Sequence, residues 1–241
     1  MGQLKTLLLF TFAFAVSSFC AYAADSASPP LDSIDQRAQA CTPCHGKEGR
    51  ATPEGYYPRI AGKPAGYLFN QLRNFRDGRR HFPMMTYLTE RQRDDYLQEI
   101  AAYFASQHPP YPPPQPPNVD GATLARGHRL ATEGDPAHDI PPCSACHGTH
   151  LLGVAPAVPG LLGVSPDYLV AQLGAWRSGT RHADSPDCMA QIVKRMSQQD
   201  LAAATAWLAT QPAAADSAPE QAFERPPPLP CGSIEASALP P

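Results

Sequence analysis

Two short segments of the sequence carry thiols and an imidazole at a spacing that suits one kind of chemistry. Residues 41–45 read Cys-Thr-Pro-Cys-His and residues 143–147 read Cys-Ser-Ala-Cys-His. Two cysteines three positions apart on a helical turn reach the two vinyl groups of one porphyrin, and the following histidine then lies beneath the iron. The pattern predicts two covalently bound haem c groups, held by Cys41, Cys44, Cys143 and Cys146, with His45 and His147 as axial iron ligands.

Other uses of this spacing fit the chain less well. A structural zinc site needs four ligands, and each segment supplies at most three. A redox-active dithiol of the thioredoxin kind needs a βαβ setting, which the sequence does not indicate. A structural disulfide within each cysteine pair is a third alternative. Two occurrences of the full Cys-x-x-Cys-His frame favour haem attachment over all three.

The sequence around the two frames is duplicated. Residues 67–80 recur 101 positions later at 168–181, with Tyr, Leu, Gln-Leu, an aromatic-Arg pair, Gly and Arg in register. Shorter matches precede and follow this segment, at 58–62 with 159–163 and at 102–107 with 206–211. The duplication indicates two related domains, each with its own haem frame.

The sixth ligand of each iron is predicted from the same duplication. The closing match at 206–211 lies 104 positions after its partner, and this shift pairs Met85 with Met189. We therefore expect Met85 and Met189 to be the second axial ligands. Met84 has no counterpart and is interpreted as local packing, whereas Met196 is interpreted as a helix-packing residue.

Two histidines are the alternative axial ligands. His81 and His182 also match each other and directly follow Arg80 and Arg181. A second imidazole would lower the reduction potential, whereas a thioether sulfur favours ferrous iron and raises it. The bis-histidine alternative stays open from the sequence alone, and its competitor is a surface or haem-edge position for both rings.

At these residues the chain resembles the dihaem cytochrome c4 family. The resemblance rests on the two Cys-x-x-Cys-His-Gly segments, the Pro-x-x-x-Gly and Tyr-Leu-x-x-Gln-Leu segments and the methionines before each closing helix, and it covers about residues 31–211. It implies two class I cytochrome c domains in a soluble or membrane-associated periplasmic electron carrier. It also implies that the backbone carbonyls of Pro58 and Pro159 accept the Nδ1 protons of the proximal histidines.

The elements that must position these residues are helices. Apolar residues recur at helical spacing in both copies, at 31–38, 67–75 and 97–104 of the first and at 168–176 and 201–208 of the second. No stretch shows the alternation of a strand. The predicted fold class is all-α, with two tandem cytochrome c-like domains joined by a proline-rich linker.

Composition shifts place the domain boundaries. The chain has 29 prolines in 241 residues, and they concentrate between the domains and after the second one. We expect cytochrome c domain 1 at 24–108, an extended polyproline-like linker at 109–117, domain 2 at 118–212 and a Pro/Ala-rich tail at 213–241. The tail is foreign to the family that the chain resembles.

Residues 1–23 read as an export signal. Lys5 precedes the apolar run Leu7–Val16, and Ala21-Tyr-Ala23 is a small-residue cleavage site. We expect cleavage before Ala24 and location in the periplasm, with an uncleaved anchor as the alternative. The formal net charge of −3 provides no concentrated basic surface, so nucleic-acid binding is not expected.

Two further pairs of residues attract functional hypotheses. Arg76 and Arg177 match in the duplication and are candidates for neutralising haem propionates, because Arg binds carboxylates in a bidentate manner; a surface position is the competing interpretation. Cys188 and Cys231 are left over after haem attachment. They could form a disulfide that pins the tail across the second distal loop, or remain free or intermolecular thiols.

With two ligands on each iron, no position is open for oxygen or peroxide. The sequence therefore predicts a dihaem carrier of single electrons in a respiratory chain, without enzymatic activity. Its partners would be redox proteins such as a terminal oxidase, an upstream cytochrome complex or a dehydrogenase, met through a small and weak interface. The alternatives are a cytochrome subunit of a periplasmic oxidoreductase complex and an enzyme such as a peroxidase with one open haem.

Overall fold

The computed structural model of the chain describes residues 32–214 and 216–235. The expected signal peptide and its cleavage site before Ala24 lie outside these residues. The helices of the first half are α1 (Ile34–Gln39), α2 (Thr42–His45), α3 (Ala65–Arg76), α4 (Pro83–Thr89) and α5 (Asp94–Ala105). Those of the second half and the tail are α6 (Gly121–Thr132), α7 (Ser144–His147), α8 (Pro166–Ser178), α9 (Cys188–Arg195), α10 (Gln198–Ala209) and α11 (Gly232–Glu235).

The first half is built on the packing of α3 against α5. Helix α5 begins at Asp94 and Asp95, two carboxylates that suit the positive end of a helix. Its apolar stripe contributes Leu97 and Phe104, which are almost fully buried against the facing stripe of α3. Burial of these stripes stabilises the pair and leaves the side of α3 toward α4 for the site described below.

The second half repeats this arrangement with α8 and α10, and α6 packs closely along α10. Each of its long helices begins at a side chain that caps the backbone. Asp120, Ser165, Asp187 and Ser197 each accept a hydrogen bond from an amide in the first turn of the helix that follows. Because the caps fix where the helices start, they also fix which residues face inward.

The structure confirms the all-α class, with one small correction. Gly153–Val154 (β1) and Val158–Pro159 (β2) form an antiparallel hairpin of two-residue strands. Strands of two residues are too short to show an alternating pattern in sequence, which is why none was expected. The described part of the chain has no helix long and apolar enough to cross a membrane.

The proline-rich linker is held by both halves. Residues 109–117 form neither helix nor strand. The Arg59 guanidinium donates to the carbonyls of Pro109 and Pro110 and lies 4.2 Å from the centre of the Tyr111 ring. Further along, the Gln115 amide donates to the carbonyl of Ala209 at 2.9 Å. The linker is therefore fastened to domain 1 by Arg59 and to domain 2 by α10.

The two halves also meet directly, through residues that match in the duplication. Arg80 and Arg181 face each other across an isolated antiparallel bridge, and the amide of His182 donates to the carbonyl of Arg79 at 2.7 Å. The hydroxyl of Ser165 donates to the carbonyl of Gly55 at 2.5 Å. These bonds fix the orientation of one half relative to the other.

The C-terminal segment is anchored at two points on domain 2. Glu220 forms a parallel bridge with Val154, where its amide donates to the Gly153 carbonyl at 2.9 Å. Further along, Cys231 is disulfide-bonded to Cys188, the first residue of α9. Of the alternatives that the sequence left open for these cysteines, the structure shows the bond that fastens the tail over the segment carrying Met189.

Replacing Cys231 by Ser should destabilise the second half. The bond closes a segment 43 residues long, and removal of such a cross-link costs about 2–4 kcal/mol of unfolding free energy, since the unfolded chain gains freedom. We expect a lower denaturation midpoint in guanidinium titrations followed by tryptophan fluorescence. The Cys188→Ser/Cys231→Ser double variant is the control and should match the single variant. Two free thiols in the wild-type protein under non-reducing mass spectrometry would contradict the assignment.

Candidate haem-binding site

Each Cys-x-x-Cys-His segment folds into one helical turn. The amide of His45 donates to the carbonyl of Cys41, and that of His147 to the carbonyl of Cys143, both at 2.9 Å. The first cysteine therefore caps the start of α2 and of α7, and the second cysteine and the histidine are the last two residues of each turn. The glycines that follow, at positions 46 and 148, end both turns with positive φ, a conformation that favours glycine.

The two imidazoles are buried, and their tautomer is fixed. Nδ1 of His45 lies 2.9 Å from the carbonyl oxygen of Pro58, and Nδ1 of His147 lies 2.8 Å from that of Pro159. A carbonyl oxygen only accepts, so Nδ1 carries the proton and Nε2 is left with a free lone pair. Both contacts are those that the resemblance implied. Burial lowers the pKa of each ring, because it disfavours the imidazolium.

The four motif cysteines are free thiols, whereas Cys188 and Cys231 are bonded to each other. Burial raises the pKa of Cys41 and of Cys143 to about 11, so both are neutral S–H groups at neutral pH. Within residues 32–214 and 216–235, no three His, Cys, Asp or Glu side chains form a cluster that could hold a metal ion. The zinc alternative therefore lacks a ligand set in the described part of the chain.

One continuous cavity of about 1040 Å³ runs past both turns. It is bordered by both motif histidines and all four motif cysteines, and by side chains of α3, α4, α8 and α9. Its volume is at the upper end of the range for small-molecule sites. The cavity brings together all eight side chains that the sequence assigned to the two haem sites: Cys41, Cys44, His45, Met85, Cys143, Cys146, His147 and Met189.

All four methionines beyond the N-terminal segment border this cavity, but with different exposure. Met85 on α4 and Met189 on α9 are half-buried. Met84 is 52% exposed and lies beside Met85 on α4. Met196 is buried in the core cluster of domain 2, in keeping with a packing role. The pairing of Met85 with Met189 stays a prediction from the duplication.

The alternative histidine ligands lie toward solvent. His81 and His182 are both exposed, and only His81 is among the residues that border the cavity. The backbone amide of His182 is engaged by the carbonyl of Arg79 at the junction of the two halves. A matched pair of histidine ligands would require both rings to reach the cavity, so this placement favours the methionines.

The arginine pair predicted to neutralise propionates lies away from the cavity. Arg76 is engaged by the carboxylates of Asp77 and Asp94, and Arg177 is exposed; neither borders the cavity. The matched pair that does border it is Arg80 and Arg181, both buried. The duplication contained this signal too, since both arginines recur in register, but it does not tell which pair faces inward.

Arg80 and Arg181 form a nearly symmetric network between the halves. Oε1 of Gln71 accepts from both guanidiniums, at 3.0 Å from Arg80 and 2.9 Å from Arg181. Oε1 of Gln172 does the same at 2.7 and 2.9 Å, and the Tyr168 hydroxyl accepts from Arg80. Burial and the neighbouring Arg80 lower the pKa of Arg181 to about 10, so Arg181 remains charged at neutral pH.

These two charges lack an anionic partner among the described residues. No carboxylate of that part of the chain forms an ion pair with Arg80 or Arg181. The Trp176 ring lies 3.7 Å from the Arg181 guanidinium and the Phe75 ring 4.5 Å from that of Arg80. Two buried guanidiniums bordering one cavity create a strong preference for carboxylate groups between them.

Comparison with known proteins agrees with this site. No protein-family model matches the chain. It is 37% identical to the thiosulfate dehydrogenase electron acceptor of Thiomonas intermedia, over 78% of this chain and 82% of that protein. It is 34% identical to cytochrome c4 of Pseudomonas aeruginosa, over 71% of this chain and 84% of that protein.

The fold agrees with a solved structure as well. The reduced recombinant cytochrome c4 of Pseudomonas stutzeri superposes with a TM-score of 0.62 at 27% identity, covering 73% of this chain and 96% of that one. This confirms the expected tandem cytochrome c domains. On these likenesses, the chain belongs to the cytochrome c4 family of dihaem electron-carrying cytochromes.

Proposed function

We propose that the chain is a periplasmic carrier of single electrons with two covalently bound haem c groups. The observation that carries the proposal is the cavity shared by two Cys-x-x-Cys-His turns, each with its histidine held by a proline carbonyl. Bound at these turns, each haem would supply one-electron cycling between Fe(II) and Fe(III).

The residues of the chain fit such groups on both faces. The thiols of Cys41, Cys44, Cys143 and Cys146 would each add across a vinyl group, S to carbon and H to the neighbouring carbon, to form thioethers. Nε2 of His45 and His147 would donate its free lone pair to iron. The thioether sulfurs of Met85 and Met189, on the cavity wall, would take the opposite positions.

The buried guanidiniums fit the acidic edge of a porphyrin. Arg80 and Arg181 would bind haem propionates. Gln71 and Gln172 accept hydrogen bonds from both guanidiniums but leave their positive charges unpaired, so propionate carboxylates would complement them. Because the two arginines lie against each other at the junction of the halves, both propionate edges would meet there. That arrangement supports electron transfer between the haems as well as to partners.

Electron transfer without bond chemistry follows from the ligand set. If His and Met fill both axial positions of each iron, no ligand site is open for a substrate. Location in the periplasm is supported by the signal-like residues 1–23 and by the disulfide of Cys188 with Cys231, since disulfides persist in oxidising compartments. We also propose that the electrons pass from this chain to an electron-accepting partner such as a terminal oxidase.

The donor is proposed to be a thiosulfate dehydrogenase. The support is the 37% identity to a protein named as the electron acceptor of that enzyme. With this donor, the chain would be either a soluble acceptor or a cytochrome subunit of the oxidoreductase complex. The second form is the alternative raised from the sequence. The two forms differ in whether the chain copurifies with the enzyme.

Haem attachment is tested by mass. Protein exported with a c-type maturation system should exceed the polypeptide mass by two haems, and the Cys143→Ala/Cys146→Ala variant should exceed its own polypeptide mass by one. The pyridine haemochrome spectrum then gives the haem count independently. The Cys41→Ala/Cys44→Ala variant is the matched control in domain 1. A colourless wild-type protein at bare polypeptide mass would overturn the proposal.

The midpoint reduction potentials of the two haems test the proposed axial methionines. The Met85→His and Met189→His variants should each lower one of two midpoint potentials and leave the other in place, because imidazole stabilises Fe(III) relative to a thioether. Spectroelectrochemical titration measures both midpoints. Met84→His and Met196→Leu are the controls and should keep both. If Met84→His shifts a midpoint while Met85→His does not, the assignment on α4 moves to Met84.

The donor is tested by reduction. Oxidised holoprotein mixed with a purified thiosulfate dehydrogenase and thiosulfate should show the absorption bands of ferrous haem on a stopped-flow timescale. Omission of either the enzyme or thiosulfate is the control. If the bands stay ferric in the complete mixture although dithionite reduces both haems, the donor is a different dehydrogenase.

A further inference from the structure

Lys63 is a buried cation that no part of the proposed carrier mechanism uses. It lies in the loop between Pro58 and α3, and only 7% of the residue is exposed. Its ammonium crosses from domain 1 into domain 2, where it donates to the carbonyl of Gly160 at 2.6 Å. Gly160 directly follows Pro159, whose carbonyl holds His147. Lys63 therefore lies on the histidine side of the second haem site.

The two proximal histidines have different cations beside them. The duplication aligns Lys63 with Val164, an apolar residue, so the described part of domain 2 has no counterpart of Lys63 in this register. Burial lowers the pKa of both imidazoles, and a nearby cation lowers it further, which is Lys63 for His147 and Arg80 for His45. Lys63 is thus a cation that domain 1 contributes to the surroundings of His147.

The charge of Lys63 is not neutralised by the protein around it. Among the described residues, no carboxylate forms an ion pair with its ammonium. The carbonyl of Gly160 accepts a hydrogen bond from it. The charge of Arg59, which is also positive, acts on it. Burial and this like charge lower the pKa of Lys63 to about 7. Lys63 also borders the cavity.

We propose that Lys63 is a positioning residue of the C-terminal haem site and raises the midpoint potential of that haem. Lys63 would act on this haem through two effects, its charge and its hydrogen bond. A buried positive charge near the iron disfavours the extra charge of Fe(III), since Coulomb interactions are weakly screened in the interior. The hydrogen bond to Gly160 also holds the segment whose preceding carbonyl orients His147. The inference rests on the proposed dihaem function.

The test compares three substitutions in the mature holoprotein. Lys63→Gln keeps a donor for the Gly160 carbonyl but removes the charge, Lys63→Met removes both, and Lys63→Arg keeps both. Arg91→Gln is the matched control, because it removes one positive charge from a side chain of domain 1 that is 90% exposed. Spectroelectrochemical titrations are run at pH 6, where the Lys63 ammonium is protonated.

The expected result is a shift in one midpoint only. In Lys63→Gln and Lys63→Met, the Fe(II)/Fe(III) ratio of the C-terminal haem at a fixed electrode potential should fall roughly tenfold, which is about 59 mV for one electron. The N-terminal haem should not move, and neither midpoint should move in Lys63→Arg or Arg91→Gln. The Met85→His and Met189→His backgrounds identify which midpoint belongs to which haem.

The outcomes separate this inference from the proposed function. Haem count and the low-spin spectrum are recorded on every variant before titration. Two haems with two midpoints that are the same in Lys63→Gln and in the wild type would overturn the role of Lys63 and leave the dihaem carrier intact. A shift of the N-terminal haem instead would also overturn it. If Lys63→Met loses the C-terminal haem, the comparison rests on Lys63→Gln against Lys63→Arg, because both keep a hydrogen-bond donor and differ in charge.

Discussion

The Nδ1–H groups of His45 and His147 each donate a hydrogen bond to a proline carbonyl, and these two contacts constrain the loops and helices around them. A buried imidazole with an unsatisfied N–H would cost free energy, and the carbonyl removes that cost while fixing the ring orientation. The loops that carry Pro58 and Pro159 must therefore stay at a set distance from the Cys-x-x-Cys-His turns. Helices α3 and α8, which follow these loops, are held in place by their packing against α5 and α10.

The junction between the halves shows a second constraint, which is electrostatic. Arg80 and Arg181 lie side by side in the interior, and each guanidinium shares the amide oxygens of Gln71 and Gln172. Neutral amides satisfy the N–H groups without cancelling the charge. An acidic ligand bound between the two guanidiniums would therefore stabilise the interface, and its binding would be coupled to the docking of the two halves.

Much of the site was predictable because the duplication of the two halves is visible in the sequence. The Cys-x-x-Cys-His frames and the aligned methionines were found from residue type and spacing, and the helices along residues 67–75 and 97–104 from apolar periodicity. The predicted role of Arg76 failed because helical spacing does not reveal that Asp77 and Asp94 hold its side chain away from the cavity. The contact of Lys63 with Gly160 joins residues 97 positions apart and has no local signature.

The Met-bearing helices and the tail were the least predictable parts. Helices α4 and α9 have seven and eight residues. Met189, Ile192 and Val193 recur at helical spacing in α9, but two turns are a short window in which to recognise a helical period. Whether Cys188 would find Cys231 depended on the course of a proline-rich segment, and no periodicity describes such a segment. Its path is fixed by the pairing of Glu220 with Val154 and by the disulfide itself, which are contacts between residues far apart in the sequence.

The C-terminal segment also supplies part of the cavity wall, through Pro227, Leu229, Cys231 and Ile234. Cys231 lies within this wall, and its disulfide to Cys188 joins the wall covalently to α9, one residue before Met189. A reductant that opened the bond would therefore loosen the boundary of the chamber beside that methionine.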